Sequence, residues 1–156
     1  MIKKLNILLT ILLSVTLSAG HHEKGDMHGN SVQWEIDTYT SSAPDFIGDF
    51  ATVVGASGEV LREGTNGWTC LPFVPMPKMG FKNPNEAAPA CADANAIAWA
   101  NAYISKTKPV IENDGWIWMI HGDTGVDNFR PYSEGDKANT APEDWIYSGS
   151  HLMLMP

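Results

Sequence analysis

Basic side chains are scarce in this sequence: 10 Lys and Arg stand against 18 Asp and Glu, for a formal net charge of −8. Such a surface repels phosphate backbones and anionic headgroups, which excludes nucleic-acid binding through a basic patch and argues against docking on anionic lipid. A cationic partner is the interaction this charge admits. Catalytic signatures are missing as well. There is no GxSxG elbow, no HExxH pair and no glycine-rich phosphate loop. Ser150 and His151 are adjacent, but a nucleophile and its base must meet in space with a third orienting group, so adjacency carries nothing. Glu63 and Asp123 are carboxylates with a surface role as their plain reading. The chain reads as a non-enzymatic protein.

Cysteine is almost absent. The two present, Cys70 and Cys91, have no CxxC spacing and no neighbouring His, so a disulfide fits better than a metal pair or a reactive thiol. The bridge would close a loop rich in Pro and Gly, from Leu71 to Gly80, that has little order of its own.

Long apolar runs are lacking except for one at the N-terminus. Lys3 and Lys4 precede an apolar stretch from Ile7 to Leu17, which ends in Ser18, Ala19 and Gly20 before the polar His21. This is the pattern of a secretory signal peptide over residues 1–20, and the run is shorter than the roughly 20 apolar residues of a membrane span. Cleavage after Gly20 fits the small-residue rule better than cleavage after Ala19. His21 stands where a lipid-accepting Cys would be needed, so no membrane anchor is expected after cleavage. Export to the periplasm or the medium follows, and it agrees with a disulfide. With Lys3 and Lys4 removed the formal charge of −8 becomes −10.

Residues 21–31 form a His-rich segment without apolar periodicity, read as a flexible tail. Residues 32–156 have the length of one domain, and no internal repeat divides them. Val32, Trp34 and Ile36 alternate with polar residues, a half-buried strand pattern, although so short a run also admits a helix start. Ser41 to Asp45 reads as a cap opening a short helix through Phe50. Residues 51–54 and 59–62 flank a Gly-containing connection and predict a hairpin, and Trp68 to Cys70 continues as a strand.

Cys91 to Lys106 predicts the main helix. Its face of Ala96, Ile97, Trp99, Ala100, Tyr103 and Ile104 should meet the sheet, with Asn95, Ala102 and Lys106 opposite. Trp116 to His121 is apolar on both faces, as a central strand would be. Trp145–Tyr147 and His151–Met155 are strand-like, and the polar segment from Gly122 to Pro142 separates them from the central strand. The sum is an α+β domain: an antiparallel sheet of about four to six strands, one main helix packed on it, and one disulfide tying the helix start to the sheet.

Alternation along the two late strands puts Met119 with His121 on one face, and His151 with Met153 and Met155 on another. If the strands are neighbours and those faces coincide, imidazole and thioether converge, a donor set that suits copper as Cu(I). The competing reading is Met as core filler and His bonded to a loop carbonyl. A terminal His21 would add a chelating amine and ring nitrogen. Asp123 to Asn128 spaces oxygen donors around Gly125 in a way that superficially suits Ca²⁺, but it lacks the distal Glu of an EF-hand.

The segment from Val60 to Pro72, Val-Leu-Arg-Glu-Gly-Thr-Asn-Gly-Trp-Thr-Cys-Leu-Pro, resembles that of a group of uncharacterised exported bacterial proteins. Ala98–Ala100, Trp118–Asp123, Asp144–Ile146 and Ser150–Met153 resemble the same group, and together they span residues 42–155. The group commonly carries Gln where this chain has His121. The resemblance implies a shared fold and export and brings no activity with it.

Overall fold

In the computed structural model the described residues are 31–127, 129–130 and 137–156, so the signal-peptide reading, the rest of the tail and His21 lie outside them. Ser31 opens the first helix, α1 (Val32–Thr40), by accepting the Trp34 N–H at 3.1 Å. The strand expected over Val32–Ile36 is therefore corrected to a helix. The alternation misled because the buried positions are Glu35, Thr38 and Tyr39, at helical spacing, and one of them is charged. Glu35 tolerates burial because its carboxylate accepts the Tyr39 hydroxyl at 2.9 Å and the Ala56 N–H at 2.8 Å. Burial, and then the hydrogen bond to Glu35, pushes the Tyr39 hydroxyl well above the usual phenol range.

The short α2 (Asp45–Gly48) follows Pro44 with no side-chain cap, because the Ser41 hydroxyl turns back to the Thr38 carbonyl. Next come β1 (Thr52–Val54), β2 (Val60–Arg62) and β3 (Trp68–Pro72), then a one-turn α3 (Pro84–Ala87) and β4 (Pro89–Asp93). After them α4 (Ala94–Ile104) leads to β5 (Gly115–Met119), β6 (Val126–Asp127), β7 (Trp145–Ile146) and β8 (His151–Met155). Six strands form one sheet in the order β2-β1-β3-β4-β5-β8, while β6 and β7 make a separate two-stranded ribbon. The α+β class with one disulfide holds, as does the expected hairpin of β1 and β2. The sheet is mixed, since β1 runs parallel to β3. Among the described residues β8 is an edge strand, paired only with β5.

Two features of the expected helix need correction. Cys91 belongs to β4, where it pairs with Cys70 on one side and Trp118 on the other, and the helix starts only at Ala94. Asp93 sets that start: one carboxylate oxygen accepts the Ala96 N–H at 2.8 Å and the other accepts the Trp116 N–H at 3.0 Å. The disulfide therefore joins two adjacent strands, with Cα atoms 4.0 Å apart, rather than a helix start to the sheet. The packing face also differs. Ala102 is buried while Tyr103 and Ile104 are exposed, because the chain folds back after Lys106 and Thr107 donates its N–H to the Ala102 carbonyl.

Alternation along the strands divides the core into two layers. Val53, Cys70, Cys91 and Trp118 pack with Tyr39, Ile47 and Phe81 beneath α1 and α2. Ala90, Ala92, Ile117, Met119 and Met155 pack with Ala96, Ile97 and Trp99 under α4. Outside both layers, Trp116, Leu152 and Leu154 stand exposed on the far part of the first face.

The candidate site, a cleft beside the last helix

On the α4 side of the sheet lies an open cleft of about 1240 Å³. Its floor is Ala92 of β4, Ile117 and Met119 of β5, and His151 and Met153 of β8. One wall is α4, through Ala96, Ile97, Ala100 and Ile104, and the far end is Leu71 to Pro75. Small side chains leave the space open, since alanines stand on both β4 and α4 where larger residues would fill it. That Ala-rich pattern is the one sequence signal that could have revealed the cleft.

The opposite wall is polar and comes from the loop after β5 and from the β6–β7 ribbon. Asp123 accepts the N–H groups of Gly125 and Ser148 at 2.9 and 3.1 Å, which ties the loop to the approach of β8. Gly125, at φ +101°, lies against the Trp145 indole so closely that a Cβ would fall 2.0 Å from Nε1. Trp145 Nε1 is buried against Gly125, on the side of the Tyr147 hydroxyl. Lys137 sits over the Trp145 ring at 5.8 Å and donates to the Tyr147 hydroxyl, and that bond draws the Tyr147 hydroxyl below its ordinary range.

Asp127 is 3% exposed and fully engaged: Arg130 meets Oδ2 through Nε at 2.9 Å and through a terminal nitrogen at 2.6 Å. Thr140 donates to the same oxygen at 3.0 Å, and the Phe129 and Arg130 N–H groups donate to Oδ1. Burial pushes this carboxyl up, but the Arg130, Phe129 and Thr140 bonds outweigh burial and hold it below the ordinary carboxylate range. The calcium reading of this loop thus meets one carboxylate, Asp127, whose two oxygens are already engaged by protein donors. Among the described residues no three His, Cys, Asp or Glu side chains gather in a metal-holding group. Glu63 is exposed and away from the cleft.

The sequence-derived His/Met residues divide. β5 and β8 are neighbours, with Met119 directly opposite His151 and Ile117 opposite Met153, so Met119, His151 and Met153 share the cleft floor. Met155 is buried at the far end of the same face. His121 is not among them. β5 ends at Met119, the chain turns at Gly122 (φ +66°), and the His121 Nε2 lies 2.8 Å from the Ser41 hydroxyl instead. The turn thus corrects the expected place of His121 in the strand beside Met119.

Comparison with protein-family models, curated proteins and solved structures finds no match to this chain. The motif from Val60 to Pro72 can still be interpreted through its contacts. Arg62 donates to the Gly48 and Ala51 carbonyls, Asn66 donates to the Ile47 carbonyl and accepts the Trp68 N–H, and Cys70 forms the disulfide. A Cβ on Gly64 would fall 2.1 Å from the Thr52 nitrogen. These residues hold α2 against the sheet, and none before Leu71 lines the cleft.

Burial lowers the pKa of His121 from its ordinary value of 6.5, so folding favours the neutral ring. The unfolded chain binds the extra proton more readily, and the stability this group contributes is therefore present above about pH 6.5 and lost as pH falls through its folded value. Urea unfolding should give a lower midpoint at pH 5 than at pH 7, and His121→Gln should shrink that difference. An unchanged difference would remove His121 as its source.

Proposed function

We propose that this is an exported, non-enzymatic binding domain of the group that the Val60–Pro72 motif resembles, and that it takes a small, mainly apolar molecule into the cleft beside α4. The supporting observation is the cleft itself: about 1240 Å³, with a floor and α4 wall that are apolar apart from His151 and Asn101, and most of its polar groups on the Asp123–Lys137–Ser148 side. Such a distribution suits a ligand whose body is apolar and whose one polar end is oriented by a few fixed groups. Binding rather than catalysis is favoured because the described serines near the cleft are not paired with a base. Ser150 donates to the Ile120 carbonyl, and the His151 Nδ1 is held by the Gly149 carbonyl. Export is supported by the N-terminal pattern of Lys3, Lys4 and the apolar run, and by the disulfide. None of the helices among the described residues is long and apolar enough to cross a membrane.

The test uses Nile red, a neutral dye that brightens in apolar surroundings. The protein should bind one equivalent saturably, and Ala100→Phe, which fills the cleft from α4, should weaken binding by about tenfold or more. Non-saturable binding, or an Ala100→Phe variant equal to the native protein, would exclude the cleft as the site.

A further inference from the structure

We infer that Met119, His151 and Met153 form a site for one Cu(I) ion on the cleft floor. The β5–β8 register sets Met119 directly across from His151, with Met153 two residues further along β8 and on the same face. Same-face neighbours on paired strands have Cβ atoms about 5 Å apart, with diagonal neighbours still within reach of long side chains. Methionine is long and has three rotatable bonds, so two thioethers flanking an imidazole can turn toward a common point.

The orientation of His151 is the second observation. Its Nδ1 lies 2.6 Å from the Gly149 carbonyl oxygen. A carbonyl can only accept, so Nδ1 carries the proton and the neutral ring presents the lone pair on Nε2. Nε2 has no hydrogen-bond partner among the described residues, while the residue itself lines the cleft. A ring N–H tied to a backbone carbonyl is the usual support of a metal-ligating histidine, because it fixes the tautomer and raises the basicity of the other nitrogen.

The donor set selects the metal. Two thioethers and one imidazole are soft and neutral, which suits Cu(I) and fails Ca²⁺, Mg²⁺ and Mn²⁺, which need oxygen. Asp127 is committed to Arg130 and Thr140, and Asp123 is held on the opposite wall by two backbone N–H groups on its Oδ1. Both cysteines are in the disulfide, so no thiolate competes. The site shares the cleft with the apolar ligand but does not rest on it, and the two are tested by different probes.

The experiment is an anaerobic competition of the disulfide-intact protein against the Cu(I) complex of bicinchoninate, monitored by loss of the chelate colour. His21, His22 and His28 are replaced by Ala throughout, so that the tail contributes no ligands. The protein should withdraw one equivalent of Cu(I), and X-ray absorption of the product should contain sulfur scatterers. His151→Ala and Met153→Leu should each weaken binding at least tenfold, and His121→Ala should leave it unchanged. Met153→Leu conserves volume, so the near-UV circular dichroism of that variant should match the native protein. Failure to withdraw Cu(I), or equal binding by the His151 and Met153 variants, would overturn the site whatever Nile red does. A drop in His121→Ala equal to that in His151→Ala would overturn this ligand set.

Discussion

Replacing Cys70 and Cys91 together by Ala is expected to lower the unfolding free energy by about 3 kcal/mol. The bridge spans a sequence separation of 21 and encloses the Pro-rich loop after β3, a segment with many unfolded conformations to lose. Both cysteines are fully buried between the sheet and α1, so the substitution also leaves unfilled space that Ala43 and Val53 cannot close. For a domain of this size the loss corresponds to a fall in Tm of roughly 10 °C. Calorimetry with and without a phosphine reductant checks the cause: reductant should lower the native protein toward the variant and leave the variant unmoved. A fall of under about 3 °C would mean that β3 and β4 are held by their hydrogen bonds and packing alone.

Gly115→Ala is expected to cost a similar amount, about 3 kcal/mol, for a different reason. An ideal Cβ at Gly115 falls 2.2 Å from the Ala96 nitrogen and 2.5 Å from its Cα. Both are backbone atoms of the first turn of α4, so no side-chain rotation relieves the overlap. The helix cannot slide freely either, because Asp93 fastens its start and the β5 backbone with the same carboxylate. The added methyl must lift α4 from β5 and so widen the cleft. Denaturant unfolding measures the first effect, and weakened Nile red binding in the folded variant measures the second. Gly149→Ala is the control, since a Cβ there meets nothing within 4 Å, and it should change stability by less than about 0.5 kcal/mol. Equal stability of the Gly115 and Gly149 variants would contradict the close approach of α4 to β5.

How far the sequence discloses this fold depends on which residues occupy buried positions. β5 and β8 were legible because β-branched, aromatic and long apolar side chains fill them. The β1–β2 hairpin was legible from its Gly-containing turn. α1 was not, because Glu35 fills an inward position and its stabilising partners include Ala56, from a different part of the chain. The start of α4 was misplaced because an Ala-rich stretch runs without break from a strand into a helix, and only Asp93 marks the change. At the candidate site, period-two spacing already grouped His151 with Met153. That Met119 stands opposite His151 depends on register, which the intervening loop sets and the two short strands alone do not. The cleft is further still from sequence, since its floor and walls come from segments distant along the chain.

The two edges of the sheet are unlike. β2 is three residues long and ends in Arg62, whereas β8 has five residues, carries no Asp, Glu, Lys or Arg, and exposes Leu152 and Leu154. Unpaired backbone donors and acceptors on a flat, uncharged edge are a template for edge-to-edge pairing of copies, and natural sheets usually block such pairing with a lysine or a proline inside the strand. Here the opposing term is the net negative charge of the chain, which makes copies repel one another. That repulsion is screened beyond about 8 Å at physiological ionic strength, so pairing through β8, if it occurs, should strengthen as salt is added.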